Sequence, residues 1–270
     1  MAASKILGQA KKLLEDGEAW KARDLLLKEA YGPELAPTLQ DSFEALFPVQ
    51  GILKKQLEGP LKQLKAKDAA TRRKAASLID KAALDEVSTE LDAWLKDPRT
   101  THELTAALAD EDPKVVEKAL EALGAISERY FVDFRAFPAV VRHLGSAKKE
   151  IRLHAVITAW ALGGPAAVEP VVPLFQDKAE PVRAAAVLGP SSFVRERKLT
   201  APTKKLLLDA LTLALKDTSA TVREQASSSL RELGDAAAIP HLRKAVAAEK
   251  NEDALDVMKL NLEYLQKGGS

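Results

Sequence analysis

The chain contains no cysteine. Neither a disulfide framework nor a thiolate zinc site can therefore be built from these residues, and no anchor attached through cysteine is expected. No run of about 18 apolar residues stands out as a membrane span. The first residues, MAASKILGQAKKLLEDG, meet a charge every few positions, unlike the apolar block of a secretory signal. The expectation is a cytoplasmic protein with no membrane partner. An excess of one charge is also missing. Lys and Arg total 40 against 39 Asp and Glu, so the net charge of +1 gives no global attraction to nucleic acid.

Strand signals are nearly absent. β-branched residues are scattered, no Asn-Gly hairpin turn occurs, and alternation is never sustained. The motifs that carry chemistry are missing as well. His102, His143, His154 and His241 stand apart without metal-ligand spacing. No phosphate-binding glycine loop, dinucleotide turn or nucleophile elbow appears. Asp110, Glu111 and Asp112 form an acidic run at a predicted turn, where helix capping accounts for them. The expectation is no catalytic residue, no metal and no cofactor.

What the chain does have is Ala and Leu at three- and four-residue spacing, with Gly and Pro confined to junctions. That pattern predicts short packed helices. With 46% hydrophobic residues, the chain has ample material for a core.

Alignment of the chain with itself exposes a repeat. In both Asp177–Arg183–Ala186 and Asp217–Arg223–Ala226, Asp is followed after four residues by Val-Arg and then by a small residue three positions on. The same frame fits Arg152 with Ala155, Val116 with Ala119 and, less closely, Arg72 with Ala75. The anchors 72, 116, 152, 183 and 223 are separated by 44, 36, 31 and 40 residues, the band for helix-pair repeats. A turn acid should accept N–H groups where the second helix begins, as at Asp112-Pro113. The small residue should admit a neighbouring backbone, while Leu123 and Leu230 return to the same face. Gly124, Gly163 and Gly234 should end helices.

The frame resembles the HEAT-repeat family, including its short bacterial form, the phycobilisome-lyase HEAT-like repeats. The resemblance covers about residues 50–250. It implies an all-α solenoid of HEAT-like antiparallel helix pairs, an α-α superhelix. It also implies a ladder of turn Asp and helix-start Arg between repeats, a role carried to Asp177, Arg183, Asp217, Arg223 and Arg152. Val116 stands where Arg is expected, so the ladder should break there. Pro190 stands where Leu is expected and should shorten its helix.

Three regions follow: an N-terminal helical cap over 1–48, HEAT-like repeats over 49–250, and a capping helix over 251–270. Within the first, Leu14, Gly17 and Ala22 are similar to a tetratricopeptide helix pair. An extra helix is expected along Leu84, Val87, Leu91, Trp94 and Leu95, with a capping box at Thr100 and Glu103 opening the next.

Three segments depart from the repeat. Residues 189–205 hold five bases, Arg195, Arg197, Lys198, Lys204 and Lys205, against the single acid Glu196. They read either as a grip on an acidic partner or as a solvated loop. Residues 129–138 concentrate Tyr130, Phe131, Phe134 and Phe137 beside Arg129 and Arg135, in a chain with only 5% aromatics. This is the composition of an interface hot spot, and equally of a wedge between repeats. Residues 54–81 carry nine bases and three acids, whereas residues 83–122 carry four bases and eleven acids. The two could steer a dipolar partner or satisfy each other.

The function expected from these features is a non-catalytic scaffold or adaptor that binds another protein or peptide on the concave face of the solenoid. Second is a helper subunit of a lyase-type enzyme, implied by the resemblance alone. Third is a nucleic-acid binder acting through the basic clusters of 54–81 and 195–205, against which the acidic stretch between them argues.

Overall fold

The computed structural model describes residues 2–16, 21–22, 25, 58–84, 98–129, 134–192 and 199–268, and every element among them is helical. The chain divides into two compact units, Met1–Ala139 and Val140–Ser270.

In the first unit, α1 spans Ala2–Glu15, α2 Glu58–Gln63, α3 Ala69–Leu84, α4 Pro98–Ala107 and α5 Pro113–Arg129. Helices α2 and α4 lie against α3 and α5 respectively, and α3 packs on α5. Ile79, Leu104, Leu120, Leu123 and Ile126 are fully buried between them. Helix α6, Phe137–Val141, runs across the division.

In the second unit, α7 spans Lys149–Gly163, α8 Val168–Val171, α9 Glu180–Leu188, α10 Ala201–Ala214, α11 Ala220–Leu233, α12 Ile239–Ala248 and α13 Glu252–Gln266. Helices α7, α9, α11 and α13 stack on one another in order, and α10 and α12 pair with α11 and α13. These stacked helices are the second helices of the repeats. One first helix is broken: Pro165, Pro170 and Pro173 divide residues 164–176 into 3-10, α and 3-10 turns. Each proline removes an N–H donor that a continuous helix would use.

The stretch Lys149–Gln176 is apolar and long enough to cross a membrane, against the sequence expectation of no such stretch. It folds back on itself instead. Gly164 takes φ 48° immediately after α7, and 61% of its apolar window is buried inside the protein.

The register of the second helices is strict. Each begins three residues after the turn positions 66, 110, 146, 177, 217 and 249, and its fourth residue is the repeat anchor. Ala75, Ala119, Ala155, Ala186 and Ala226, three residues past the anchors, are all completely buried. No larger side chain fits there without separating the helices.

Several local expectations change. Gly124 is an interior residue of α5 rather than its exit, because Ala125 and Ile126 continue into the core. Gly234 does end its helix, at φ 62°. The helix expected to open at Thr100 opens at Pro98, whose fixed φ suits a first turn. Thr100 is buried inside it, and Glu103 meets Lys65 at 2.5 Å. The helix before Pro190 is short as expected: α9 has 9 residues and continues as a 3-10 turn over Gly189–Ser192. The extra helix expected along 84–95 lies almost wholly outside the described residues.

Candidate functional site

Each turn acid serves two groups. One oxygen of Asp110, Asp177, Asp217 and Glu249 accepts the N–H two residues on, at 2.8 to 2.9 Å. That N–H precedes the helix, so these acids fix the approach to it rather than capping its first turn. The same carboxylates take both forks of an arginine on the preceding second helix. Arg152 Nε and Nη2 donate to Asp177 at 2.7 and 2.8 Å, and Arg183 donates to Asp217 at 2.8 and 2.9 Å. Arg223 donates to Glu249 at 2.6 Å through both nitrogens, and Arg72 to Asp110 at 2.5 and 2.9 Å. The remaining Nη1 of each arginine donates to carbonyls of its own turn. Every rung therefore ties one second helix to its own turn and to the next.

These pairs are largely shielded from solvent, and the carboxyls titrate below their ordinary range. The Arg72 hydrogen bonds hold Asp110 down. Burial pushes Asp177 and Asp217 up, but the paired arginines and the turn N–H groups outweigh it. Hydrogen bonding from Arg223 lowers Glu249 furthest, to about 2. At the corresponding ladder positions, Val116 is buried and apolar at its anchor and the next turn residue is Ser146, so these two positions supply neither guanidinium nor carboxylate.

Among the described residues, part of the opposed charge of 54–81 and 83–122 pairs within the first unit. Arg72 meets Asp110, Arg73 meets Asp112 at 3.2 Å, and Lys65 meets Glu103. Of the basic segment 189–205, Lys204 pairs with Asp235 at 3.0 Å and Lys205 with Asp209 at 2.7 Å. Arg195, Arg197 and Lys198 lie outside the described residues, as do Tyr130 and Phe131. Phe134 begins a 3-10 turn over Phe134–Ala136. Among the described residues, Arg152, Asp177, Arg183, Asp217 and Arg223 thus join in one ladder.

A different feature faces outward. At 100° per residue, positions two, five and nine after the anchor lie on the side of a second helix opposite the buried alanine. Position five is Ile157 on α7, Leu188 on α9, Ser228 on α11 and Leu260 on α13. The three apolar members are exposed, by 39, 42 and 65%. Periodicity alone missed them, because an apolar residue at helical spacing reads as core. Only the shared offset from the anchor separates them from core residues.

On the same side of α11 and α13, Arg231 lies 5.7 Å from the centre of the Tyr264 ring and is fixed by Glu232 at 2.5 Å. The buried Asn261 donates to Ser227 and Ser228 at 2.8 and 3.2 Å. Outside the ladder arginines, α7, α9, α11 and α13 carry eight acids and three bases. The first-helix segments of this unit carry two acids and five bases.

Residues 101–189 match the model described as HEAT repeats, and residues 222–248 match the PBS lyase HEAT-like repeat. Over these residues the chain carries HEAT repeats. Among solved structures, its HEAT-repeat fold is similar to an engineered protein from a structural genomics consortium. That match has 19% identity and a TM-score of 0.59 over 77% of this chain and 96% of the other. A designed armadillo repeat protein matches at 20% identity and a TM-score of 0.58, over 76% and 98%. A second designed armadillo repeat protein, solved with a (KR)4 peptide, matches at 18% identity and a TM-score of 0.53, over 85% and 98%. Comparison with curated proteins gives no match.

Proposed function

We propose that this HEAT-repeat protein is a protein-binding scaffold whose partner lies along the concave face lined by the second helices. The observation that supports it is the register of Ile157, Leu188 and Leu260: three exposed aliphatic side chains at one repeat position on stacked helices. Solvent-exposed aliphatics arranged in a row are characteristic of interaction surfaces. The ladder gives that surface a fixed spacing, because every second helix in the unit is tied to the next by a shielded bidentate pair. A designed armadillo repeat protein of similar fold holds a peptide. Arg195, Arg197, Lys198, Lys204, Lys205, Tyr130, Phe131 and Phe134 are proposed as further contact residues.

Purification of the tagged protein from its own cells, followed by mass spectrometry, tests the reading. A stoichiometric protein partner that is lost from the Leu188→Ser/Leu260→Ser variant supports it. A partner retained by that variant and by charge reversal at Arg195, Arg197 and Lys198 counts against both surfaces.

The match of residues 222–248 to a PBS lyase HEAT-like repeat favours one second reading, a helper subunit in chromophore attachment. Mixing the protein with a linear tetrapyrrole should then change the pigment's absorbance. An unchanged spectrum removes this reading and leaves the scaffold intact.

A further inference from the structure

We propose that the exposed face of the second helices in residues 140–268 takes a basic, extended peptide segment. Its aliphatic residues would follow a three-residue period, at the first, fourth and tenth positions of a ten-residue stretch, with the seventh left polar. The inference rests on the scaffold reading and names its partner.

Charge gives the sign of the partner. The second helices of this unit carry eight acids and three bases outside the ladder, and the first-helix segments carry the reverse bias. Glu224 on α11 has no side-chain partner among the described residues, and Asp256 and Glu263 on α13 are exposed beside the lysines they meet. A chain bearing lysine or arginine is drawn to this face and repelled from the opposite layer.

Spacing gives the conformation. Packed helices lie roughly 8–10 Å apart. A polyproline-II segment rises about 3.1 Å per residue and repeats every three residues, so side chains on one of its edges recur about every 9 Å. One step along the stack separates Ile157 from Leu188, and two steps separate Leu188 from Leu260. The intervening position is Ser228, which is bound by Asn261 and offers no apolar contact. A ligand edge in phase with the helices therefore meets aliphatic, aliphatic, polar and aliphatic positions. A β-strand alternates every two residues and falls out of phase with this spacing. An α-helical ligand returns to one face about every 5.4 Å and also falls out of phase with this spacing.

The test uses three labelled ten-residue peptides and the full chain in fluorescence anisotropy. The first has Leu at positions one, four and ten with Lys elsewhere. The second scrambles that composition, and the third replaces Lys with Glu. The first should bind at least about tenfold more tightly than the second, and the third should not bind. Leu260→Ser should weaken the first about fivefold and leave the second unchanged, while Glu224→Lys/Asp256→Lys should weaken both. Leu260 is 65% exposed, so its replacement leaves the fold intact, which circular dichroism verifies.

Equal affinity for the first two peptides, or binding of the acidic one, overturns the inference. So does self-association of the chain that Leu260→Ser abolishes, since a second copy then occupies the face. A co-purified partner that the first peptide cannot displace overturns the basic-segment inference alone. No partner and no peptide binding together overturn the scaffold reading as well.

Discussion

Trp160 occupies the space in which a side chain on Gly189 would begin. Its indole Nε1 donates to the Ala186 carbonyl at 3.1 Å, and its Cδ1 lies 1.9 Å from the position of a β-carbon at residue 189. The backbone there does not require glycine, since φ is −52°. The ring does. A large side chain on α7 thus reaches across to the end of α9, and the short helix before Pro190 is held by its neighbour.

Gly189→Ala should therefore destabilise the protein by about 1–3 kcal/mol, because an added methyl must displace a buried ring. Gly145→Ala is the control, since nothing lies within 4 Å of the point its methyl would occupy. It should change stability by less than about 0.5 kcal/mol. Urea unfolding followed by tryptophan emission measures both. Equal midpoints would mean that the ring has room to move aside.

Arg183→Ala should cost about 3–5 kcal/mol, because it leaves the Asp217 carboxylate shielded and without its fork. The side chains of that pair are 13% and 9% exposed. Arg73, which meets Asp112 at 3.2 Å but is 46% exposed, provides the contrast. Its alanine variant should cost no more than about 1 kcal/mol. A double-mutant cycle on Arg183 and Asp217 isolates the pair from the packing of the arginine stem. Similar losses at positions 183 and 73 would show that shielding adds nothing to the ladder.

The repeat was readable in sequence because its parts recur at fixed offsets: anchor, alanine three residues on and, at Leu123 and Leu230, leucine seven on. The rungs were harder to read. Arg72 follows Ala66 rather than an acid, so its frame looks incomplete, yet its carboxylate partner is Asp110, 38 residues away. The final rung uses Glu249, one methylene longer than the aspartates, at a turn whose following helix has Leu255 at the anchor. Gly124 misled for a different reason. Glycine is permissive rather than obligatory as a helix end, and burial of the residues after it carried α5 onward. The exposed stripe was hidden because Leu188 and Leu260 share residue type and spacing with the core. Neither property records which neighbour arrives to cover them.

Ala226→Leu should destabilise by about 1–3 kcal/mol or more, since its position is completely buried where α11 approaches its neighbours. Ser228→Leu, two residues on and half-buried at the outward repeat position, should cost far less of the thermal midpoint while extending the aliphatic stripe across α11. It should also strengthen binding of a basic peptide with leucine at position seven. Calorimetry and anisotropy on the two variants separate a packing position from a contact position. A Ser228→Leu variant as unstable as Ala226→Leu would place residue 228 inside the stack.

Acid should loosen the ladder in a defined window. Asp110, Asp177, Asp217 and Glu249 all titrate below their ordinary values when folded. A carboxyl held low in the folded state adds stability above its unfolded pKa, and that stability disappears as pH falls through the folded value. For Glu249 the window runs from 4.5 down to about 2. Stability should be flat with respect to these groups above about pH 6 and should fall steadily below about pH 4.5. Glu249→Gln cannot take up that proton, so its acid limb should be shallower than that of the wild type, from a lower starting stability. Arg223→Ala should flatten the limb by a similar amount, because it removes the hydrogen bonds that hold Glu249 down. Urea midpoints between pH 2 and pH 7 for the three proteins decide the matter. Parallel acid limbs in all three would assign the loss to other carboxyls and take Glu249 out of the account.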